Sequence, residues 1–278
     1  MIHAPQLILS GSRRNGADGS SEWVAARTIL AYGVRVGIRA NKPELLDHLA
    51  DYLPPLWKPS SVTVVDRLFS LKAGKSSIEL FYDSERAMKS RSLKTVLEVF
   101  ETSLKMYVAE MARRRVFVHA GVVGWQGKAI VIPGRSFSGK TTLVAELVRA
   151  GATYYSDEYA ALDLQGRAHP YPQPLALRSP DWPGQKKRFV EDIGGKTGVH
   201  PLPVGLVLVS RYKPGGHWRP AQLTAGQAVL ELLANTVPAR RKPEIVLPTL
   251  QKAATKAITL KGNRGEAEET ARLILNWR

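Results

Sequence analysis

The hydrophobic pattern of the first part of the chain predicts a module of strands and short helices. Apolar and polar residues alternate over residues 26–40, and two further strand-like runs follow at 61–74 and 75–84. A short helix is predicted over 42–55, where two consecutive prolines end it. This order of elements is typical of an α/β fold.

One long helix is predicted at the end of this part, over residues 90–114. Apolar side chains recur there at spacings of three and four residues, as on the buried face of a helix. They are Leu93, Val96, Leu97, Phe100, Leu104, Tyr107, Val108 and Met111. We therefore expect a smaller N-terminal α/β module at residues 1–112 and a second domain at 113–278.

The second domain begins with two apolar runs, 116–125 and 128–134, separated by Gln126 and Gly127. A two-residue connection that ends in glycine is typical of a β-hairpin. A helix is predicted next, over residues 141–151. The other predicted elements are strands at 152–156, 159–164, 167–172, 204–212 and 254–262, and helices at 223–237 and 266–277.

Residues 134–141 match the pattern G-x-x-x-x-G-K-[ST] of a phosphate-binding loop. Its two glycines allow the tight backbone that points successive N–H groups at an anion, and the helix that follows adds the positive end of its dipole. Lys140 is expected to reach the β- and γ-phosphates of a nucleotide, and the Thr141 hydroxyl to bind Mg²⁺. The residues expected to contact the nucleotide are Gly134, Arg135, Ser136, Phe137, Ser138, Gly139, Lys140, Thr141 and Thr142.

Two acids follow this loop after only one helix and one strand. In GTPases and motor ATPases, the acid on the metal side usually lies at the end of a later strand. Asp157 and Glu158 end the strand that comes directly after the loop helix. One helix out and one strand back return the chain beside the loop, so we expect this pair to face the γ-phosphate and the metal. The later strand at 204–212 ends without an acid. His119, on the first strand of the hairpin, is expected at the height of the phosphate site if the hairpin is regular.

The charge balance favours an anionic partner. The chain carries 40 Lys and Arg against 24 Asp and Glu, a formal net charge of +16. Polyphosphate, an acidic protein or peptide, and nucleic acid would all suit this surplus. The basic residues are dispersed, and no segment alternates them with aromatic residues as a base-stacking surface would. Nucleic acid is therefore the least favoured of the three.

The composition also bears on compartment and chemistry. The chain has no cysteine, which excludes disulfides, thiolate nucleophiles and Cys-ligated metals. No apolar run approaches the roughly 20 residues that span a bilayer. Near the N-terminus the basic residues follow a short apolar stretch, which is the reverse of a secretory signal. We therefore expect a cytoplasmic protein with no membrane partner.

Residues 118–158 resemble the catalytic domain of the HPr kinase/phosphorylase family, which is related to phosphoenolpyruvate carboxykinases. That family has a strand with a histidine, a GxSGxGKS loop, a helix that ends in Arg-Gly, and an Asp-Asp pair at the next strand end. The same features occur here in order and at matching spacing: His119, the loop, residues 149–151 and the acids 157–158. The sequence departs from the family pattern at Phe137 and in having a glutamate as the second acid.

The resemblance implies an ATP- and Mg²⁺-dependent kinase with a mixed, hairpin-containing sheet. It implies that Asp157 takes the proton from an acceptor hydroxyl while Lys140 holds the triphosphate. Glu158 and Thr141 would then bind the metal, and His119 would contact the transferred group. The opposite division of roles between Asp157 and Glu158 stays open, so both acids are candidate metal ligands.

The acceptor expected first is a serine of a protein or precursor peptide. The chain is similar to stand-alone HPr-kinase-like proteins encoded beside peptide-maturation genes, including kinases that phosphorylate lasso-peptide precursors. The alternatives are a kinase for a small-molecule hydroxyl and a nucleotide-binding regulatory or nucleic-acid-associated ATPase. HPr kinases assemble into rings, so the resemblance also implies a homo-oligomer as one of the oligomeric states that the sequence leaves open.

Overall fold

The computed structural model describes residues 7–10, 22–135, 138–179 and 182–277. The chain divides into two compact units, Met1–Arg113 and Arg114–Arg278. Each unit has its own hydrophobic core and combines helices with mixed sheets, so the fold is α/β. Within the described ranges, no helix is both long enough and apolar enough to cross a membrane.

The N-terminal unit is built on a sheet covered by one long helix. Its elements are β1 (Ile8–Leu9), β2 (Ala25–Ala31), β3 (Val34–Ala40), α1 (Glu44–Asp47), a 3₁₀ turn (Ala50–Tyr52), β4 (Lys58–Ser60), β5 (Val64–Val65), β6 (Arg67–Ala73), β7 (Ile78–Tyr82), β8 (Glu85–Ser90) and α2 (Leu93–Met111). Six strands pair in the order β4-β2-β3-β6-β7-β8. The α2 helix packs on this sheet, where Phe100 meets Phe69 edge to face with ring centroids 5.2 Å apart.

The C-terminal unit contains the phosphate-loop motif. Its elements are β9 (Val116–Trp125), β10 (Lys128–Pro133), α3 (Lys140–Arg149), β11 (Thr153–Ser156), β12 (Tyr159–Leu162), β13 (Arg167–His169), β14 (Leu175–Ser179), β15 (Trp182–Arg188), a 3₁₀ turn (Val190–Ile193), β16 (Leu202–Tyr212), β17 (Ala221–Gln222), α4 (Ala225–Leu233), α5 (Pro243–Thr255), β18 (Ile258–Arg264) and α6 (Ala267–Leu275). The strands other than β14 and β15 form one mixed sheet of eight strands.

The phosphate-loop strand has neighbours of both orientations in this sheet. β9 and β10 form the predicted antiparallel hairpin, with Trp125 opposite Lys128. On its other side β10 pairs in parallel with β16, which pairs in parallel with β18. The loop after β10 therefore leaves the sheet at the carboxyl ends of three parallel strands, the edge at which open α/β sheets bind ligands.

Helices cover both faces of the sheet. Because successive strand residues point to opposite faces, Ala129 and Val131 join the core beneath α4 and α5, whereas Ile130 and Ile132 join the core beneath α3 and α6. All four side chains are buried. This three-layer arrangement fixes β10 between two cores, so the loop begins from a rigid strand, which suits a binding site.

Several elements depart from the sequence predictions, among them the unpredicted pair β14 and β15. α5 was not predicted, because Pro243 and Pro248 interrupt its pattern, yet Pro243 occupies the first turn, where its missing N–H is harmless. β8 was not predicted either, since its residues are mostly polar and exposed, as suits an edge strand. The helix expected over 42–55 is only one turn long, at Glu44–Asp47, and is followed by a 3₁₀ turn.

Close packing of α3 on the hairpin depends on Gly121 in β9. A Cβ atom added to Gly121 would lie 2.5 Å from Val144 Cγ2. We therefore expect Gly121→Ala to lower the free energy of unfolding in urea by about 1–3 kcal/mol, the usual range for overpacking a core. As a control, Gly226→Ala in α4 adds a Cβ with no heavy atom within 4 Å and should leave stability unchanged or raise it. Equal stabilities of the Gly121 variant and the wild type would contradict this packing.

Candidate functional site

The phosphate loop connects β10 to the first turn of α3. Gly139 is the N-cap of α3 and has φ of 81°, in the left-handed region that favours glycine. Its carbonyl accepts a bond from Leu143 N (3.1 Å), so the helix begins directly after it. The N–H groups of the first turn therefore lie at the end of the loop, as an anion site requires.

Lys140 folds back over the start of this loop. Its Nζ donates to the carbonyl oxygens of Gly134 (2.7 Å) and Arg135 (2.8 Å), and the side chain is buried. Burial lowers the pKa of Lys140 to about 8, although Asp157 and Glu158 oppose the shift. The ammonium therefore keeps its charge at neutral pH but holds its proton less firmly than an exposed lysine does.

The other predicted loop residues differ in their environment. Ser136 and Phe137 lie outside the described residues. Arg135 and Thr142 are exposed, whereas Ser138 and Thr141 are partly buried. The N–H of Ser138 donates to Arg135 O (3.3 Å), a turn that closes the loop before Gly139.

Asp157 and Glu158 connect two strands that share one partner. β11 and β12 both pair antiparallel with β9, and their register on β9 is the same at Ser156 and at Tyr159; the register shift lies earlier, within β11, between Tyr154 and Ser156. The buried Ser156 Oγ accepts the N–H groups of Glu158 (3.1 Å) and Tyr159 (3.0 Å), which stabilises the connection. The strands predicted on either side of the acids are confirmed, but their common pairing with β9 could not be predicted from the sequence.

A single peptide group of β9 connects the loop to the acids. The carbonyl of His119 accepts the N–H of Gly134 (3.2 Å), at the start of the phosphate loop. The N–H of the same peptide group, on Ala120, donates to Glu158 O (3.1 Å) on the opposite side of β9. Because a peptide group is planar and rigid, it fixes the backbone of the loop relative to the backbone of the acids.

Several donors surround the Asp157 carboxylate. The Tyr154 hydroxyl donates to Oδ1 (3.0 Å), and the Thr141 side chain and the Ala176 N–H also donate to the group. Burial nevertheless raises the pKa of Asp157 above its ordinary value, since it outweighs these bonds. A carboxylate with a raised pKa beside a phosphate loop is a candidate proton acceptor.

His119 lies opposite Gly134 in the hairpin, as the regular register predicts. Its ring packs against Tyr159, with the two centroids 5.9 Å apart. Burial, together with the charge of Lys140, lowers the pKa of His119 to about 4. The imidazole is therefore neutral at neutral pH, and can donate or accept a hydrogen bond there but carries no charge.

This lowered pKa has a measurable consequence for stability. Between pH 6.5 and about pH 4 the unfolded chain protonates His119 and the folded chain does not, so the free energy of unfolding should fall as the pH falls through that window. An NMR titration should place the His119 midpoint at about pH 4. A His119→Gln variant should lose less stability over the same window than the wild type. A midpoint at the ordinary value of 6.5 would contradict the burial of the ring.

Two features near the loop were not found from the sequence. The Tyr154 hydroxyl shares its proton between Asp157 and the carbonyl of Gln173 (2.8 Å), and only its position three residues before the acid hinted at this. Arg264, the last residue of β18, donates from Nη2 to Gly139 O (3.0 Å). The sequence signal that could have identified Arg264 was its position directly before Gly265, between an apolar strand and a helix.

The oxygen donors of the site fit a magnesium ion that is also held by phosphate. Thr141 lies in hydrogen-bond contact with Asp157, and Glu158 is the next residue of the chain. Hydroxyl and carboxylate oxygens are ligands that Mg²⁺ accepts. Among the described residues, no group of three or more His, Cys, Asp or Glu side chains could hold a metal unaided. Phosphate oxygens would have to complete the coordination, as is usual for Mg²⁺ in phosphoryl-transfer sites.

Comparison with models of known protein families gives no match for this chain, and comparison with curated proteins gives none either. The assignment of function therefore depends on the geometry of the site.

Proposed function

We propose that this protein is an ATP- and Mg²⁺-dependent kinase that transfers the γ-phosphate to a hydroxyl, in the first place a serine of a protein or peptide. The observation that carries the proposal is the peptide group between residues 119 and 120, which joins the phosphate loop to the backbone of the acidic pair Asp157 and Glu158. A kinase needs both parts at a fixed separation, because phosphoryl transfer depends mainly on positioning and charge. We include in the proposal an HPr-kinase-like fold for residues 114–278.

In the proposed reaction, the amides of the loop and the Lys140 ammonium bind the triphosphate. Asp157 accepts the proton of the acceptor hydroxyl as its oxygen attacks the γ-phosphorus. The bond between that phosphorus and the β–γ bridging oxygen breaks, and the electron pair leaves with ADP. The raised pKa of Asp157 makes it a stronger base than an exposed carboxylate.

The remaining groups assist this transfer. Bound Mg²⁺ would neutralise part of the β- and γ-phosphate charge, with Thr141 and Glu158 as its protein ligands. Neutral His119 can donate a hydrogen bond to the transferred group without competing for the proton at neutral pH. The Tyr154 hydroxyl holds the Asp157 carboxylate in place by donating a hydrogen bond to its Oδ1 atom.

A basic strand beside the site favours an acidic peptide as the acceptor. β14 contacts the site through Ala176, whose N–H donates to Asp157. β14 pairs with β15, where Ala176 lies opposite Lys187 and Leu177 opposite Lys186. Lys186, Lys187 and Arg188 are exposed. Positive charge on a strand next to the transfer site would attract acidic residues near a target serine.

Incubation with γ-labelled ATP and Mg²⁺ tests the proposal. The acceptors should be acidic serine-containing peptides, matched peptides with alanine for serine, and a panel of small hydroxyl compounds. Label in the serine peptides alone is the expected result. Label in a small compound would move the acceptor to the small-molecule class, and release of free phosphate alone would replace the kinase by an ATPase. Failure to bind ATP would refute all three.

A further inference from the structure

Arg264 is a buried cation with few partners. The residue is 3% exposed and lies at the carboxyl end of β18, beside the phosphate loop. Its Nη2 donates to Gly139 O (3.0 Å) and its Nη1 to Gly265 O (3.1 Å). Nε is buried and has no hydrogen-bond partner in the described part of the chain. A guanidinium has five N–H donors, so the two carbonyls leave much of it unsatisfied.

The described acids compensate this charge only weakly. Glu266 attracts the guanidinium, but it is exposed, forms no salt bridge with Arg264 and accepts a hydrogen bond from Tyr212 OH (3.0 Å). The guanidinium lies over the Tyr212 ring, 5.4 Å from its centroid. Burial lowers the pKa of Arg264 and outweighs the attraction of Glu266. Burying a cation with so little compensation is unfavourable, so a bound anion would stabilise it.

The Arg264 side chain packs closely against Gly139 of the phosphate loop. A Cβ atom added to Gly139 would lie 2.4 Å from Arg264 Nη2. The second glycine of the loop motif is therefore needed both for its positive φ and for the approach of the guanidinium. Arg264 thus contacts the residue that precedes Lys140, at the end of the loop where α3 begins.

We infer that Arg264 is a phosphate-contacting residue of the nucleotide site, and that a polyphosphate bound at the loop compensates its buried charge. The inference rests on the proposed function, since it needs a polyphosphate at the end of the loop, where Gly139 and Lys140 begin α3. The guanidinium would add its charge and its free N–H donors to those of Lys140 and the loop amides. A planar donor fork suits phosphate oxygens better than an ammonium does.

The test compares Arg264→Met with the wild type by calorimetric titration of Mg-ATP and of inorganic tripolyphosphate. We expect both affinities to fall by about 10- to 100-fold, as for loss of a charged hydrogen-bonding group. Without ligand, the melting temperature of the variant should equal or exceed that of the wild type, because a buried and weakly compensated charge has been removed. Arg272→Met, which loses only an exposed pair with Glu268 on α6, is the control and should change neither quantity.

The opposite results would overturn the inference. Unchanged affinities with a lowered melting temperature would make Arg264 a structural clamp on Gly139. Weaker binding of ATP alone, with tripolyphosphate unaffected, would exclude a phosphate contact. Arg264→Lys keeps the charge and should weaken both ligands less than Arg264→Met does. If neither variant folds, the residue is structural and the inference fails. If the wild type binds neither ligand, the proposed function fails as well, which separates the two ideas.

Discussion

Replacing Asp157 with asparagine is expected to slow phosphoryl transfer by about 10²–10⁴-fold, the usual contribution of a general base. Affinity for Mg-ATP should stay close to that of the wild type, because Lys140 and the loop amides are unchanged. The carboxylate has a raised pKa, so its ionised form opposes folding at any pH above that pKa. The variant should therefore be at least as stable as the wild type at neutral pH. Single-turnover transfer, nucleotide titration and thermal melting measure the three quantities.

Two parallel variants make this prediction specific. Asp51→Asn changes an exposed acid of the N-terminal unit and should transfer phosphate at the wild-type rate. Glu158→Gln should raise the Mg²⁺ concentration needed for half-maximal transfer. If extra Mg²⁺ restored Asp157→Asn and had no effect on Glu158→Gln, the roles of the two acids would be exchanged. Wild-type transfer by Asp157→Asn would remove it from the chemistry altogether.

Replacing Lys140 with alanine is expected to weaken ATP binding by at least about 100-fold, since in the proposed site the ammonium would make charged hydrogen bonds to the β- and γ-phosphates. Transfer should fall at least as far. The pKa of about 8 adds a signature in pH: wild-type affinity should decrease as the pH rises above about 8, where Lys140 loses its proton. The alanine variant has no such proton to lose, so its affinity should not change there. Titrations of ATP across this range measure both effects.

Lys256→Ala is the matched control, because Lys256 is an exposed lysine at the end of α5. It should bind ATP as the wild type does at every pH. An Lys140→Ala protein that kept wild-type affinity would show that the loop does not bind phosphate through this lysine. A wild-type affinity that stayed constant above pH 8 would contradict the lowered pKa of Lys140.

Local signals in the sequence were sufficient for the hairpin that leads into the loop. Gln126 and Gly127 have φ of 47° and 76°, as a tight hairpin turn requires, and this turn sets the register that brings His119 opposite Gly134. The acids were predictable because one helix and one strand return the chain to its starting edge. Their side chains then lie within electrostatic range of Lys140.

Contacts between distant segments could not be predicted in the same way. Arg264 and Gly139 are 125 residues apart, and no spacing rule connects an arginine after one strand to a glycine after another. The position of Asp157 depends on the pairing of both β11 and β12 with β9, which single-strand periodicity does not encode. α5 was hidden by its prolines, although its buried face of Val246, Leu250 and Ala253 is regular. Tertiary packing decides each of these features.

The shared peptide group of β9 also limits how the site can change over evolution. A residue inserted or deleted between the hairpin turn and His119 would shift the strand by one position and turn the imidazole to the opposite face. It would also pair the loop and the acids with different peptide groups, so both halves of the site would be misplaced at once. Length changes in this protein should therefore accumulate in the connections beyond β12, while β9 keeps its length even where its side chains diverge.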